Sequence, residues 1–182
     1  ARRTRRALED FALDAEGADL ALVYYAGHGV EIEGKNYLLP SDADVSDIDT
    51  LSGGAIALSD VVSILTAASP SAILLVDACR NDPFAGTPLE ADGRGAVALA
   101  GQSAPRLSPG FARVGRADGL VYAFAATPGE TASDGSGGHS PFAEALLRHL
   151  GTPGLELRSV LTLVTQDVYD RSRGTQLPYV ES

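Results

Sequence analysis

Two short stretches hold the residue types that can do covalent chemistry. Tyr24-Tyr25-Ala26-Gly27-His28-Gly29 puts an imidazole between two glycines at the end of an apolar run. Asp77-Ala78-Cys79-Arg80 puts the only cysteine of the 182 residues at the end of another. A thiol becomes a strong nucleophile once an imidazole is close enough to take its proton or stabilise its thiolate. Gly29 suits such a site, because glycine takes backbone angles other residues avoid and lets its N–H approach a substrate carbonyl. With the N–H of Cys79 it would form an oxyanion hole, where each donor is commonly worth ~3 kcal/mol. Each feature alone has a plainer account. Gly-His-Gly is often an exposed turn, and a lone cysteine at a strand end is often a small buried hydrophobe. The chemistry requires both to sit at one edge, and so requires their strands to be parallel neighbours.

The surrounding pattern supplies such strands. Leu20–Ala26, Ser71–Asp77 and Leu120–Ala126 are apolar runs that read as buried strands. Thr4–Ala15 is an amphipathic helix with Ala7, Leu8, Phe11, Ala12 and Ala15 on one stripe, and Leu58–Ala68, Pro141–Leu150 and Leu155–Arg171 are further helices. Val30–Leu39 reads as a hairpin turning at Gly34-Lys35. Ser41–Gly54 and Thr127–Gly138 are loops, and Arg80–Gly119 is long, rich in Gly, Pro and Arg, and poorly periodic. Strands joined through helices or long crossovers predict an α/β fold with a mostly parallel sheet between helical layers. Ligands of such sheets bind beyond the carboxyl ends of the strands, where His28 and Cys79 fall. One domain over residues 1–182 accounts for the length.

Composition excludes other classes. The net charge is −10 and the pI about 4.6, although Arg2, Arg3, Arg5 and Arg6 crowd the start. A surface this acidic repels phosphate backbones and attracts cationic peptides, so nucleic acid is not an expected partner. The arginine cluster reads as the polar face of a solvated helix or as a basic arm. No apolar run approaches the roughly 20 residues of a membrane span, and no secretory leader is visible. A single cysteine cannot form an intramolecular disulfide or a multi-cysteine zinc site, and it fits a reducing compartment, which leans towards the cytoplasm. Gly29–Lys35 matches the skeleton of a phosphate-binding loop, but Asn36 stands where Ser or Thr should hold magnesium. Glu31 and Glu33 would repel the phosphate, and no helix follows.

At these residues the chain resembles the caspase-like cysteine peptidases, most closely bacterial caspase homologues related to metacaspases and paracaspases. LALVYYAGHGVEIEGKNYLLPSDAD is similar to the group's histidine strand, loop and hairpin, and AILLVDACRNDPF to its nucleophile strand. VYAFAATPGETASDGSGGHSPFAEALLRHL and TQLPYVES resemble the segments that follow. The resemblance implies a three-layer caspase-like fold. It implies peptide hydrolysis through an acyl-enzyme, with Cys79 as nucleophile, His28 as general acid/base, and the N–H groups of Gly29 and Cys79 on the oxyanion.

The resemblance also implies specificity. Classical caspases cut after aspartate and have glutamine two places before the nucleophile, where this chain has Asp77. Metacaspases and paracaspases cut after arginine or lysine, and Asp134 matches a second acidic residue of their pocket, with Glu130 a weaker candidate. A carboxylate pair suits a guanidinium, which bonds carboxylates bidentately. Arginine-specific self-cleavage in the 80–119 loop has Arg94, Arg106, Arg113 and Arg116 to choose from. Some metacaspases need calcium, and Asp42, Asp44, Asp47 and Asp49 offer oxygen ligands, though spaced acids also simply solvate a loop. No other cofactor is implied. The family pattern has a further strand and helix ahead of the position of Ala1, which contribute to the basic-residue pocket, and a short strand segment after PYVES. A catalytically silent caspase-like interaction module is the alternative reading.

Overall fold

The computed structural model describes residues 2–43, 51, 53–79, 89–91, 97–99, 107–108, 111–135 and 137–182. Among them the elements are α1 (Arg2–Asp14), β1 (Ala21–Ile32), β2 (Lys35–Leu39), β3 (Ile56–Ala57), α2 (Leu58–Ala68), β4 (Ala72–Cys79), β5 (Leu89–Ala91), β6 (Val97–Leu99), β7 (Leu107–Ser108), β8 (Leu120–Phe124), α3 (Pro141–His149), α4 (Leu157–Arg171) and β9 (Tyr179–Glu181). The strands form one mixed sheet in the order β5-β6-β7-β1-β4-β8-β9, with β2 beside β1 and β3 beside β2. Its centre is parallel, β1 against β4 and β4 against β8.

Two hydrophobic cores explain why β4 shows no apolar–polar alternation. Ala72, Leu74, Val76 and Ala78 join Leu58, Val61 and Leu65 of α2, with Leu8 and Phe11 of α1 packed against them. The intervening Ile73 and Leu75 join Phe142 and Leu146 of α3 and Val160, Leu161, Val164 and Val168 of α4. The result is three layers, helices–sheet–helices, and a central strand that must be apolar on both faces. Burying each Leu or Val of that strand contributes about 1.5–3 kcal/mol. Packing also holds α2 in place, since no side chain caps its N-terminus. Among the described residues no helix is long and apolar enough to cross a membrane.

The sequence pattern predicts a first strand ending at Ala26, but β1 continues through Gly27-His28-Gly29 to Ile32. It changes neighbours on the way, parallel to β4 over Ala21–His28 and antiparallel to β2 over His28–Ile32. Two glycines read locally as a break, whereas tertiary neighbours fill the space their missing side chains leave. The hairpin turn sits one residue earlier than expected, on Glu33-Gly34, whose φ values are 51° and 79°. Positive φ at both central residues is the twist-matched two-residue hairpin turn, which Gly34 adopts without a side-chain penalty. The Glu31 carboxylate accepts the Gly34 N–H at 3.2 Å and closes it. Gly29–Lys35 is thus strand and turn, with no helix N-terminus for a phosphate.

The 80–119 stretch is not wholly irregular. Its β5, β6 and β7 extend the sheet antiparallel, with β7 pairing the distal end of β1. β9, which alternation over three residues cannot reveal, pairs antiparallel with β8.

Candidate active site

The parallel register of β1 and β4 makes His28 and Cys79 Cα partners. Adjacent strands lie about 4.8 Å apart, so two residues 51 positions apart in sequence become neighbours at the carboxyl edge of the sheet. The β1–β4 ladder ends at this pair, which puts the backbones of Gly29 and Cys79 at its rim. The His28 side chain is exposed.

Both flanking glycines have a packing cause. A Cβ at Gly27 would meet the Tyr25 hydroxyl at 2.8 Å. That hydroxyl turns back to the main chain, 2.6 Å from the His28 carbonyl and 2.9 Å from the Leu39 carbonyl. Burial raises the Tyr25 pKa, which keeps it a neutral donor. A Cβ at Gly29 would lie 2.1 Å from the Phe111 ring. Gly29 does not use the unusual backbone angles expected of it from the sequence. Its φ is not in the left-handed region, and its glycine is required by the aromatic ring lying on it.

Phe111 is itself held in place. The Asn36 amide donates to the Ala112 carbonyl at 2.7 Å and accepts the Ala112 N–H at 2.7 Å. The Tyr122 hydroxyl donates to the Val114 carbonyl. The chain entering β8 is thereby fastened to the hairpin just past His28.

Asp77 lies two residues before Cys79 and is 5% exposed. Its Oδ2 accepts the Tyr24 hydroxyl at 2.9 Å and the Ser140 hydroxyl at 2.5 Å. Among the described residues its Oδ1 is buried with no hydrogen-bond partner. Burial raises the Asp77 pKa, opposed by the Ser140 and Tyr24 hydrogen bonds and reinforced by the negative charge of Asp134. A buried carboxylate with one satisfied and one orphaned oxygen is costly to keep ionised.

Asp134 is exposed, so of the two acids that the resemblance assigns to the pocket only Asp77 is buried. It lies in the loop between β8 and α3, close enough for its charge to act on Asp77. The loop is anchored by Gln176, 3% exposed, which donates to the Ala125 carbonyl at 2.8 Å and accepts the Ser133 N–H at 3.0 Å. Glu130 is exposed, its N–H closing a turn onto the Thr127 carbonyl. Tyr24, Ser140 and Gln176 carry no reactive signature and were not legible as site residues. The Ser140-Pro141 helix start and the shared strand face of Tyr24 and Asp77 were the available signals.

Of the four loop arginines, Arg113 lies over the Tyr179 ring, 5.6 Å from its centroid, and Arg116 pairs with Glu181 at 2.6 Å. Arg94 and Arg106 lie outside the described residues, as do Asp44, Asp47 and Asp49 of the suggested calcium loop. Among the described residues no group of three His, Cys, Asp or Glu is placed to hold a metal ion.

Comparison with known proteins agrees with this architecture. Caspase-1 from Spodoptera frugiperda is similar in structure, with a TM-score of 0.58 and 20% sequence identity over 98% of this chain and 67% of that one. No curated protein matches the chain in sequence. The family model for the caspase domain matches residues 1–182. With its α/β three-layer fold, the chain belongs to the caspase domain family, a family of cysteine peptidases.

Proposed function

We propose that this domain is a cysteine endopeptidase that cuts after arginine or lysine, with Cys79 as nucleophile and His28 as general acid/base. The observation that carries the reading is the orphaned, buried Oδ1 of Asp77 two residues from Cys79, in a strand whose register partners Cys79 with His28.

In this mechanism His28 takes the thiol proton and the thiolate attacks the carbonyl carbon on the N-terminal side of the scissile bond. The N–H groups of Gly29 and Cys79 hold the resulting oxyanion. His28 returns the proton to the leaving amine as the C–N bond breaks, leaving a thioester. Water, deprotonated by His28, then attacks the thioester. The acid is released and the thiol restored. The side chain of the residue before the cut reaches Asp77 Oδ1, where a guanidinium or ammonium gives a buried carboxylate its missing charge-assisted hydrogen bond. Asp134 adds negative charge at the mouth of that pocket. Substrates are peptides or proteins with accessible basic residues, and the acidic net charge favours their approach.

Thiol reactivity tests the dyad without reference to any substrate. The expected result is that Cys79 reacts with iodoacetamide well below the ordinary thiol pKa of about 8.5, and at least tenfold more slowly in His28→Ala. A thiol inert in both proteins would favour a silent interaction module instead.

A further inference from the structure

We infer that Ser140 is a positioning residue for the acidic specificity site: it fixes the Asp77 carboxylate and keeps Oδ1 turned to the ligand. The assignment rests on the proposed basic-residue specificity for its functional meaning, but its geometry is independent of that reading.

A serine hydroxyl has a single proton. Ser140 is the N-cap of α3, and its oxygen accepts the Ala143 N–H at 2.9 Å. The hydroxyl proton is then committed to its other partner, Asp77 Oδ2 at 2.5 Å. Asp77 Oδ2 also receives the Tyr24 hydroxyl. Two donors on one oxygen set the carboxylate plane and leave Oδ1 as the acceptor without a partner among the described residues. Both donors favour the ionised form against the burial that disfavours it. The start of α3 also presents its positive dipole end towards this carboxylate.

The consequence is a coupling between the loop and the strand. Ser140 closes the loop that carries Asp134, and its hydroxyl ties that loop's end to β4 next to Cys79. One side chain thereby sets the spacing between the two acids that the specificity reading invokes. The role differs from helix capping alone, which the Ala143 contact would satisfy without Asp77.

The test follows the Asp77 carboxyl by carbon-13 NMR titration in the whole chain, alongside hydrolysis of a peptidyl-arginine coumarin amide. In Ser140→Ala, loss of the donor should move the Asp77 pKa further upward. It should also raise KM for the arginine substrate about tenfold with kcat within about twofold, as expected for a lost hydrogen bond to a charged group. Ser140→Thr, which keeps the hydroxyl, should restore both values. Tyr24→Phe, which removes the other donor and leaves the cap intact, should shift the titration in the same direction. An Asp77 titration unmoved in both Ser140→Ala and Tyr24→Phe overturns the assignment. A shifted titration in a protein that does not cleave after arginine or lysine supports Ser140 as a positioning residue and overturns the specificity reading instead.

Discussion

Asp77 has two oxygens in unequal surroundings, and the specificity reading rests on that inequality. Replacing it with Asn keeps an oxygen for Tyr24 and Ser140 and puts an NH2 donor where Oδ1 stood. The fold should survive. Cleavage after arginine should fall by about 100-fold or more in kcat/KM, the scale of an ion pair broken by losing one partner, while the Cys79 alkylation rate stays within about twofold. Stability should respond as well. The folded protein holds the Asp77 proton more tightly than the unfolded chain, because its pKa is raised above 3.8. This group's contribution is therefore fully present below that value and is lost as pH rises through the folded one. Urea unfolding across about pH 3 to pH 7 should show that downward component in the wild type and lack it in Asp77→Asn. Arginine cleavage has the opposite dependence, failing as acid protonates Asp77.

At the scale of elements, the hairpin and the segment entering β8 are clamped together at Gly29 and Asn36, on the sheet face opposite the His28 side chain. Gly29→Ala drives a methyl group into the Phe111 ring, and overpacking of this kind costs about 1–3 kcal/mol. The urea midpoint should drop accordingly, and a second change, Phe111→Leu, should recover part of the loss if the clash is its source. The clamp also bears on self-cleavage. Arg113 and Arg116 are engaged with Tyr179 and Glu181 and follow the Asn36–Ala112 contact. A peptidase needs an extended, accessible segment, so any self-cleavage in the 80–119 loop is expected away from Arg113 and Arg116, with Phe111–Arg116 remaining on the later piece. Mass spectrometry of the products decides this, and a dominant cut after Arg113 or Arg116 would contradict it.

For the whole molecule, the three-layer architecture was legible because β4 and β8 are apolar on both faces and the helices repeat at helical spacing. The juxtaposition of His28 and Cys79 followed once β1 and β4 were read as parallel neighbours. The full length of β1 was not legible, since nothing near Gly27 and Gly29 in sequence announces the Tyr25 hydroxyl and Phe111 ring that occupy their space. Nor were β5 to β7 and β9, whose two or three residues are too short for a period to register. Asp77 was found through family resemblance, but its orphaned oxygen and its hydrogen bonds to Tyr24 and Ser140 appear only once the strands and the start of α3 are brought together. The most direct measurement is a peptide library varied at the residue before the scissile bond, assayed on the wild type, Cys79→Ala and His28→Ala. Cleavage confined to arginine and lysine, and abolished in both variants, is the predicted result. Equal or preferential cleavage after aspartate, or activity that survives the loss of Cys79, would contradict the account.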